Sequence, residues 1–310
     1  MSESDLASPQ RSPWTSAIFI LLTMFAGFVV IGPAIGFFVS LPFIDGSIVD
    51  FVANVGDPIA HPEVKTPLFI LQACATFFGL IVGPALYWFA VEKQNVLTLI
   101  KPGTNPLAFI ITGIIVISFM AVNSIFIEWN AHLHFPEFLK DVEQWARARE
   151  TYAEELTEFL TTFSSPGEFL FAFFIIAVLP GIGEELVFRG LLQPQLQRAT
   201  GNAHVAIWIS AILFSAFHMQ FFGFVPRALL GALFGYLYLW SRNLLIPIIG
   251  HFINNGFMVL MLYLRQLGFI DLDVETTQAA PWPAVIGFSI ITFVLLAYLK
   301  RLFERNSSPA

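Results

Sequence analysis

Long apolar runs alternate with short polar breaks along this chain, and the runs recur at about 17–42, 67–91, 106–127, 169–188, 204–222, 228–240, 244–264 and 284–299. A helix needs about 20 apolar residues to cross about 30 Å of hydrocarbon. Most of the runs reach that length; 228–240 is short unless it begins near Phe221. Nothing alternates with period two in units of about ten residues, as an outer-membrane barrel requires. The pattern predicts an all-α fold, a polytopic transmembrane helical bundle of about eight spans.

Composition agrees: 56% of the 310 residues are hydrophobic and 12% charged, against about 25% charged in soluble domains. Lys93, Lys101, Arg198, Arg242, Lys300, Arg301 and Arg305 fall in loops on one side of the bundle. The opposite loops are acidic, with Asp45, Asp50, Asp57 and Glu63, then Glu154, Glu155 and Glu158, then Asp271, Asp273 and Glu275. Basic loops stay inside, so both termini are expected in the cytoplasm, in a bacterial cell (inner) membrane. The net charge of −7 resides mostly in the outer loops and leaves no basic patch, which argues against nucleic acid as a partner.

Residues 1–16 read as a disordered cytoplasmic N-terminus, 17–303 as one membrane domain, and 304–310 as a cytoplasmic tail without a prenylation signal. The first apolar run is longer than a signal-peptide core and lacks a small-residue cleavage site, so it counts as a span. Residues 128–166 mix Trp129, Trp145 and Tyr152 with many charges, which suits helices at the membrane surface. Cys74 stands alone between alanines; a single thiol excludes an internal disulfide and multi-thiolate metal sites. Gly32 and Gly36, like Gly231 and Gly235, are four apart and predict close helix packing.

The candidate chemistry lies in 167–265. Ionisable groups cost about 2.5–3.5 kcal/mol each at the centre of a span on insertion scales, yet Glu184, Glu185, Arg189, His218, His251 and Asn255 all fall within or directly beside apolar runs. On a helix Glu185 and Arg189 share a face at i, i+4 and suit an ion pair, whereas Glu184 points about 100° away. A glutamate without that partner suits a general base. Pro180 with Gly181 and Gly183 predicts a kink just before the pair. Phe214 and His218 share a face, so the ring can orient the imidazole. His251 and Asn255 also share a face and suit stabilisation of a developing oxyanion. With these span boundaries, Glu184 falls near the cytoplasmic helix end and His218 more than about 15 Å from that side. Tilt, the kink or a helix continuing past Phe188 must bring them together.

Glu-Glu-x-x-x-Arg, then Phe-x-x-x-His, then His-x-x-x-Asn on successive apolar helices resembles the CPBP family, the CAAX protease and bacteriocin-processing (Abi) group that includes type II CAAX prenyl endopeptidases. The resemblance covers about 167–265 and implies an intramembrane endopeptidase acting on a membrane-associated, potentially lipidated, peptide or protein within the bilayer. It implies that Glu184 and His218 activate water, His251 and Asn255 stabilise the oxyanion, and Glu185, Arg189 and Phe214 support them. No metal is expected to be obligatory; a zinc ion on Glu184, His218 and His251 is the open alternative. An ion- or proton-coupled transporter and a non-proteolytic scaffold of the same fold are the competing classes.

Overall fold

A computed structural model describes residues 11–271 and 276–307. Asp273 and Glu275, and most of the expected disordered N-terminus, lie outside those residues. Every regular element among the described residues is helical, and six helices are long and apolar enough to cross a membrane: α1 (Pro13–Phe43), α3 (Pro62–Ala90), α4 (Pro106–Ala131), α6 (Pro166–Thr200), α9 (Leu245–Gln266) and α10, whose apolar part is Trp282–Arg305. Between them lie the short α2 (Ile48–Asn54), the amphipathic α5 (Lys140–Thr161), and two shorter apolar helices, α7 (Ala203–Phe217) and α8 (Phe224–Ser241). All eight apolar runs are therefore helices, six of them of full spanning length. Two boundaries differ from expectation. α1 begins at Pro13, because proline at the first helical position costs no hydrogen bond. α10 continues as helix to Ser307, through much of the expected tail.

α6 is the central helix: 61% of its apolar stretch is buried, against 22% for α1 and 17% for α10. Leu186, Val187, Phe188, Leu191 and Leu192 pack against residues of α1, α3 and α7 in one cluster. A second cluster joins α4, α8, α9 and α10 through Ile115, Phe234, Ile246 and Leu299.

Four helical stretches widen to π turns, at Ala26–Ile31, Phe77–Val82, Phe174–Val178 and Leu186–Leu192. Each ends one residue before a Gly-Pro, Leu-Pro or Gln-Pro pair, at Pro33, Pro84, Pro180 and Pro194. Proline lacks the N–H for the residue four back and its ring crowds that carbonyl, so the helix loosens upstream. Glu184 and Glu185 sit between two such turns. The sequence placed a kink at Pro180; the structure spreads it over the turn before the proline. Gly181 and Gly183 serve close approach, since a Cβ would come within 3.3 Å of Phe252 N on α9 and 2.7 Å of Leu80 Cβ on α3.

The glycine pairs behave as packing logic predicts. Gly32 meets the α3 backbone beside Cys74, where an added Cβ would lie 2.6 Å from the Cys74 carbonyl. Gly231 and Gly235 bring α8 against α6 and α7.

Candidate active site

Helix lengths set the depth of the site. α6 runs on to Thr200 rather than ending at Phe188, so Glu184 lies at mid-helix and not near an end. The chain reverses at Gly201, which takes the left-handed conformation and lies midway in sequence between Glu184 and His218. Both residues therefore stand at the same distance from the turn, and the separation implied by the shorter span disappears. α7 has only 15 residues, about 22 Å. Its last turn delivers His218 to the level of the glutamates.

Glu185 takes the expected partner and one more. Arg189 Nη1 donates to Glu185 Oε1 at 2.8 Å, and His251 Nδ1 donates to the same oxygen at 2.8 Å. Arg189 Nη2 donates to the Gly231 carbonyl at 2.8 Å, and its guanidinium stacks over Phe214 at 4.5 Å. Phe234, which the sequence did not single out, lies nearly parallel to the His251 ring at 5.3 Å and also faces Arg189 at 5.6 Å. The cluster is sealed: Glu185 and Arg189 are 0% and 1% exposed. A buried ion pair stabilises only when its geometry is good and the remaining donors are used, and here Arg189 uses both terminal nitrogens.

Glu184 has no such partner. Its Oε2 is buried without a hydrogen bond, 3.8 Å from His218 Nε2 and 3.9 Å from His251 Nε2. Both imidazoles are fixed from behind. His218 Nδ1 donates to the Phe214 carbonyl at 3.0 Å, and the Phe214 ring lies 5.1 Å away, edge to face. His251 Nδ1 is committed to Glu185. Both Nε2 atoms therefore turn toward Glu184, and their distances are too long for direct hydrogen bonds.

Asn255 lies one turn beyond His251, and no hydrogen bond joins it to Glu184, His218 or His251. Its Nδ2 donates to the Ile176 carbonyl at 3.3 Å, and its Oδ1 accepts from Asn254. Ile176 is four residues before Pro180, so its carbonyl lacks the helical N–H it would otherwise receive. Asn255 fills that place and keeps a second amide hydrogen uncommitted.

The donor set of Glu184, His218 and His251 has the right chemistry for zinc. Among the described residues, however, no group of three such side chains is close enough to hold an ion. A tetrahedral site with bonds of about 2.0–2.1 Å needs ligand atoms about 3.3 Å apart, less than either Glu184–imidazole distance. The side chains as placed do not form a zinc cage.

A cavity of about 660 Å³ opens beside His218, lined by Phe28 of α1, Leu68 and Leu71 of α3, and Tyr152 and Leu156 of α5. α5 roofs it. The Arg147 guanidinium lies over Phe222 at 4.2 Å and Glu150 Oε2 accepts from Phe222 N at 3.3 Å, tying the roof to the α7–α8 turn. Sequence reasoning also missed Arg227 at the start of α8. Its Nη2 donates to Gln220 Oε1 at 2.7 Å, and its Nη1 is buried without an acceptor. Its signal, one arginine in an apolar run, was visible but lay outside the motifs.

This is an integral membrane protein whose polar centre is enclosed by apolar helices. Residues 166–257 match the family described as type II CAAX prenyl endopeptidase Rce1-like. The chain is similar to the uncharacterized protein YpbD of Bacillus subtilis (strain 168), 29% identical over 85 residues, 26% of this chain and 40% of that protein. It is also similar to the membrane-embedded CAAX protease MroQ of Staphylococcus aureus (strain USA300), 36% identical over 97 residues, 29% of this chain and 38% of that protein. The matched region therefore spans about two fifths of each relative. No solved structure matches the chain. The match covers the segment that carries all three motifs and supports the CPBP resemblance there.

Proposed function

We propose that this chain is an intramembrane endopeptidase that hydrolyses a peptide bond of a membrane-associated peptide or protein. The observation that carries the reading is the unpartnered Glu184 Oε2, facing two fixed imidazole Nε2 atoms at the edge of a roofed cavity. A water beside Glu184 and His218 donates one hydrogen to Glu184 Oε2 and the other to His218 Nε2. Its lone pair is then left for the scissile carbonyl carbon. Glu184 takes a proton as the C–O bond forms and returns it to the amine as the C–N bond breaks, leaving an acid and an amine.

In this scheme His251 carries protons on both ring nitrogens. Nδ1–H is held by Glu185, and Nε2–H joins the free amide hydrogen of Asn255 at the oxyanion. Glu185, Arg189 and Phe214 position these groups. The apolar cavity lining suits a hydrophobic or lipidated substrate, in keeping with the CAAX protease named among the relatives. The loop charges favour cytoplasmic termini in a bacterial cell membrane; a reporter fused after Ala310 that is active only outside the cytoplasm would overturn that orientation.

The deciding experiment is comparative proteomics of membrane fractions holding the wild-type chain or Glu184→Gln. New protein termini should appear only with the wild type, and identical termini in both would reject proteolysis at this site. We also propose that no metal is obligatory. Protein stripped by chelation and shown metal-free by elemental analysis should still cleave; activity restored only in proportion to added zinc would make Glu184, His218 and His251 a ligand set.

A further inference from the structure

At the opposite end of the bundle from the α5 roof, a second cavity of about 320 Å³ lies where α6 and α8 end and the chain enters α4. Lys101, Arg242, Gln193, Gln197 and Tyr238 line it. It lies on the Gly201 side of the membrane, at the level of the helix ends. Its polar groups are supplied and left unused. Among the described residues neither Lys101 nor Arg242 has an acidic partner, and the Tyr238 hydroxyl has no hydrogen bond. Gln193 is 3% exposed; its Nε2 donates to the Gly235 carbonyl at 3.1 Å, while its Oε1 is buried with no donor.

The frame around these groups is rigid. Asn243, itself buried, accepts from Lys101 N at 3.1 Å, donates to the Lys101 carbonyl at 3.1 Å, and donates to Thr104 Oγ1 at 2.7 Å. Leu244 N donates to the Leu99 carbonyl at 2.9 Å. Arg242 takes a left-handed backbone, φ 49° and ψ 29°, which ends α8. A non-glycine residue is held there only when its surroundings require it. The backbone of two basic residues is thereby held beside a polar hollow with a phenol donor.

Basic hollows between helices on the cytoplasmic face suit lipid headgroups. We propose that this hollow binds the phosphate of an anionic phospholipid, such as phosphatidylglycerol. Lys101 and Arg242 hold the phosphate oxygens and the Tyr238 hydroxyl donates to one of them. A choline headgroup carries no net negative charge. The site is remote from Glu184 and stands whether or not the chain is a protease.

The test uses the full chain, purified in detergent and exposed to mixed micelles of phosphatidylglycerol or phosphatidylcholine, with retained lipid read by native mass spectrometry. Wild type should retain phosphatidylglycerol over phosphatidylcholine. Lys101→Gln with Arg242→Gln should lower that retention about twenty- to thirtyfold, since each cation near a membrane surface contributes about a factor of five. Tyr238→Phe should lower it about fivefold. Melting in phosphatidylcholine should be the same for all variants, which separates loss of the site from loss of the fold. Equal retention of the two lipids by wild type, or unchanged retention by the double variant, overturns the proposal. Inorganic phosphate that displaces the lipid and stabilises the protein equally would show a site for free phosphate and overturn the lipid assignment.

Discussion

The two adjacent glutamates of α6 occupy different regions. Around Glu185, charge is matched within the protein, with a guanidinium and an imidazole on one oxygen and aromatic rings over both. Around Glu184 two imidazoles approach and stop short, and a cavity begins. One peptide bond thus separates a carboxylate with an ion-pair partner from one without, while the Oε2 atom of each is buried without a hydrogen bond. The contrast arises because adjacent helical residues point about 100° apart, so α8 and α9 close over one face while the end of α7 and the roof frame the other.

Breaking the Glu184 side should have the largest effect. Glu184→Gln and His218→Ala should each lower turnover by about 10²–10⁴-fold or more, the range for loss of a general base, with little change in melting temperature. Near-normal turnover in either variant would mean that the two regions do not differ in the way described. Breaking the sealed side should act on stability: Arg189→Ala should cost roughly 3–5 kcal/mol by stranding Glu185. Adding Glu185→Gln should be milder than Arg189→Ala alone, and a cycle without coupling would show that the pair does not act as a unit. Because His251 shares the same carboxylate, Glu185→Gln alone should also lower turnover.

Asn255 sharpens the comparison, since it belongs by sequence to the His-x-x-x-Asn motif and by contact to the Pro180 turn. Asn255→Ala should lower turnover by about 10²–10³-fold with little change in substrate binding if its second amide hydrogen meets the oxyanion. A purely structural Asn255 would lower melting temperature and leave turnover per folded molecule unchanged.

The smallest expected effect is at the roof. Burial pushes the Glu150 carboxyl above its ordinary value, partly opposed by the Phe222 N–H and the charge of Arg227. Between the ordinary carboxylate range and that raised value the folded state keeps a proton that the unfolded state releases. Stability therefore falls as pH rises through the window, and the loss is complete above it. Melting of the wild type should decline from about pH 4.5 upward, and Glu150→Gln should flatten that decline; parallel curves would remove Glu150 from the account.

What the sequence revealed depended on the range of the interaction. The Glu185–Arg189 pair and the Phe214–His218 contact are one helical turn each and could be read from spacing. The His251–Glu185 bond joins residues 66 apart and was not legible. Nor was the equal depth of Glu184 and His218, because α6 continues through Arg189 and Gln193, polar residues that ended the apolar run although both are buried within the bundle. Hydropathy reads a polar residue as the end of a span, whereas these two are held inside the bundle by the carbonyls of Gly231 and Gly235. The unused groups at Arg227 were beyond sequence because an empty hydrogen bond has no periodicity.

The shortness of α7 carries one further consequence. A 15-residue helix leaves about 8 Å of hydrocarbon unspanned above His218, and a bilayer meeting such a mismatch thins or fills the gap. Here α5 covers that end, with Val142 and Trp145 exposed outward while Tyr152 and Leu156 face the cavity. In the proposed reaction that cover keeps apolar chains away from the place where one water is consumed per turnover.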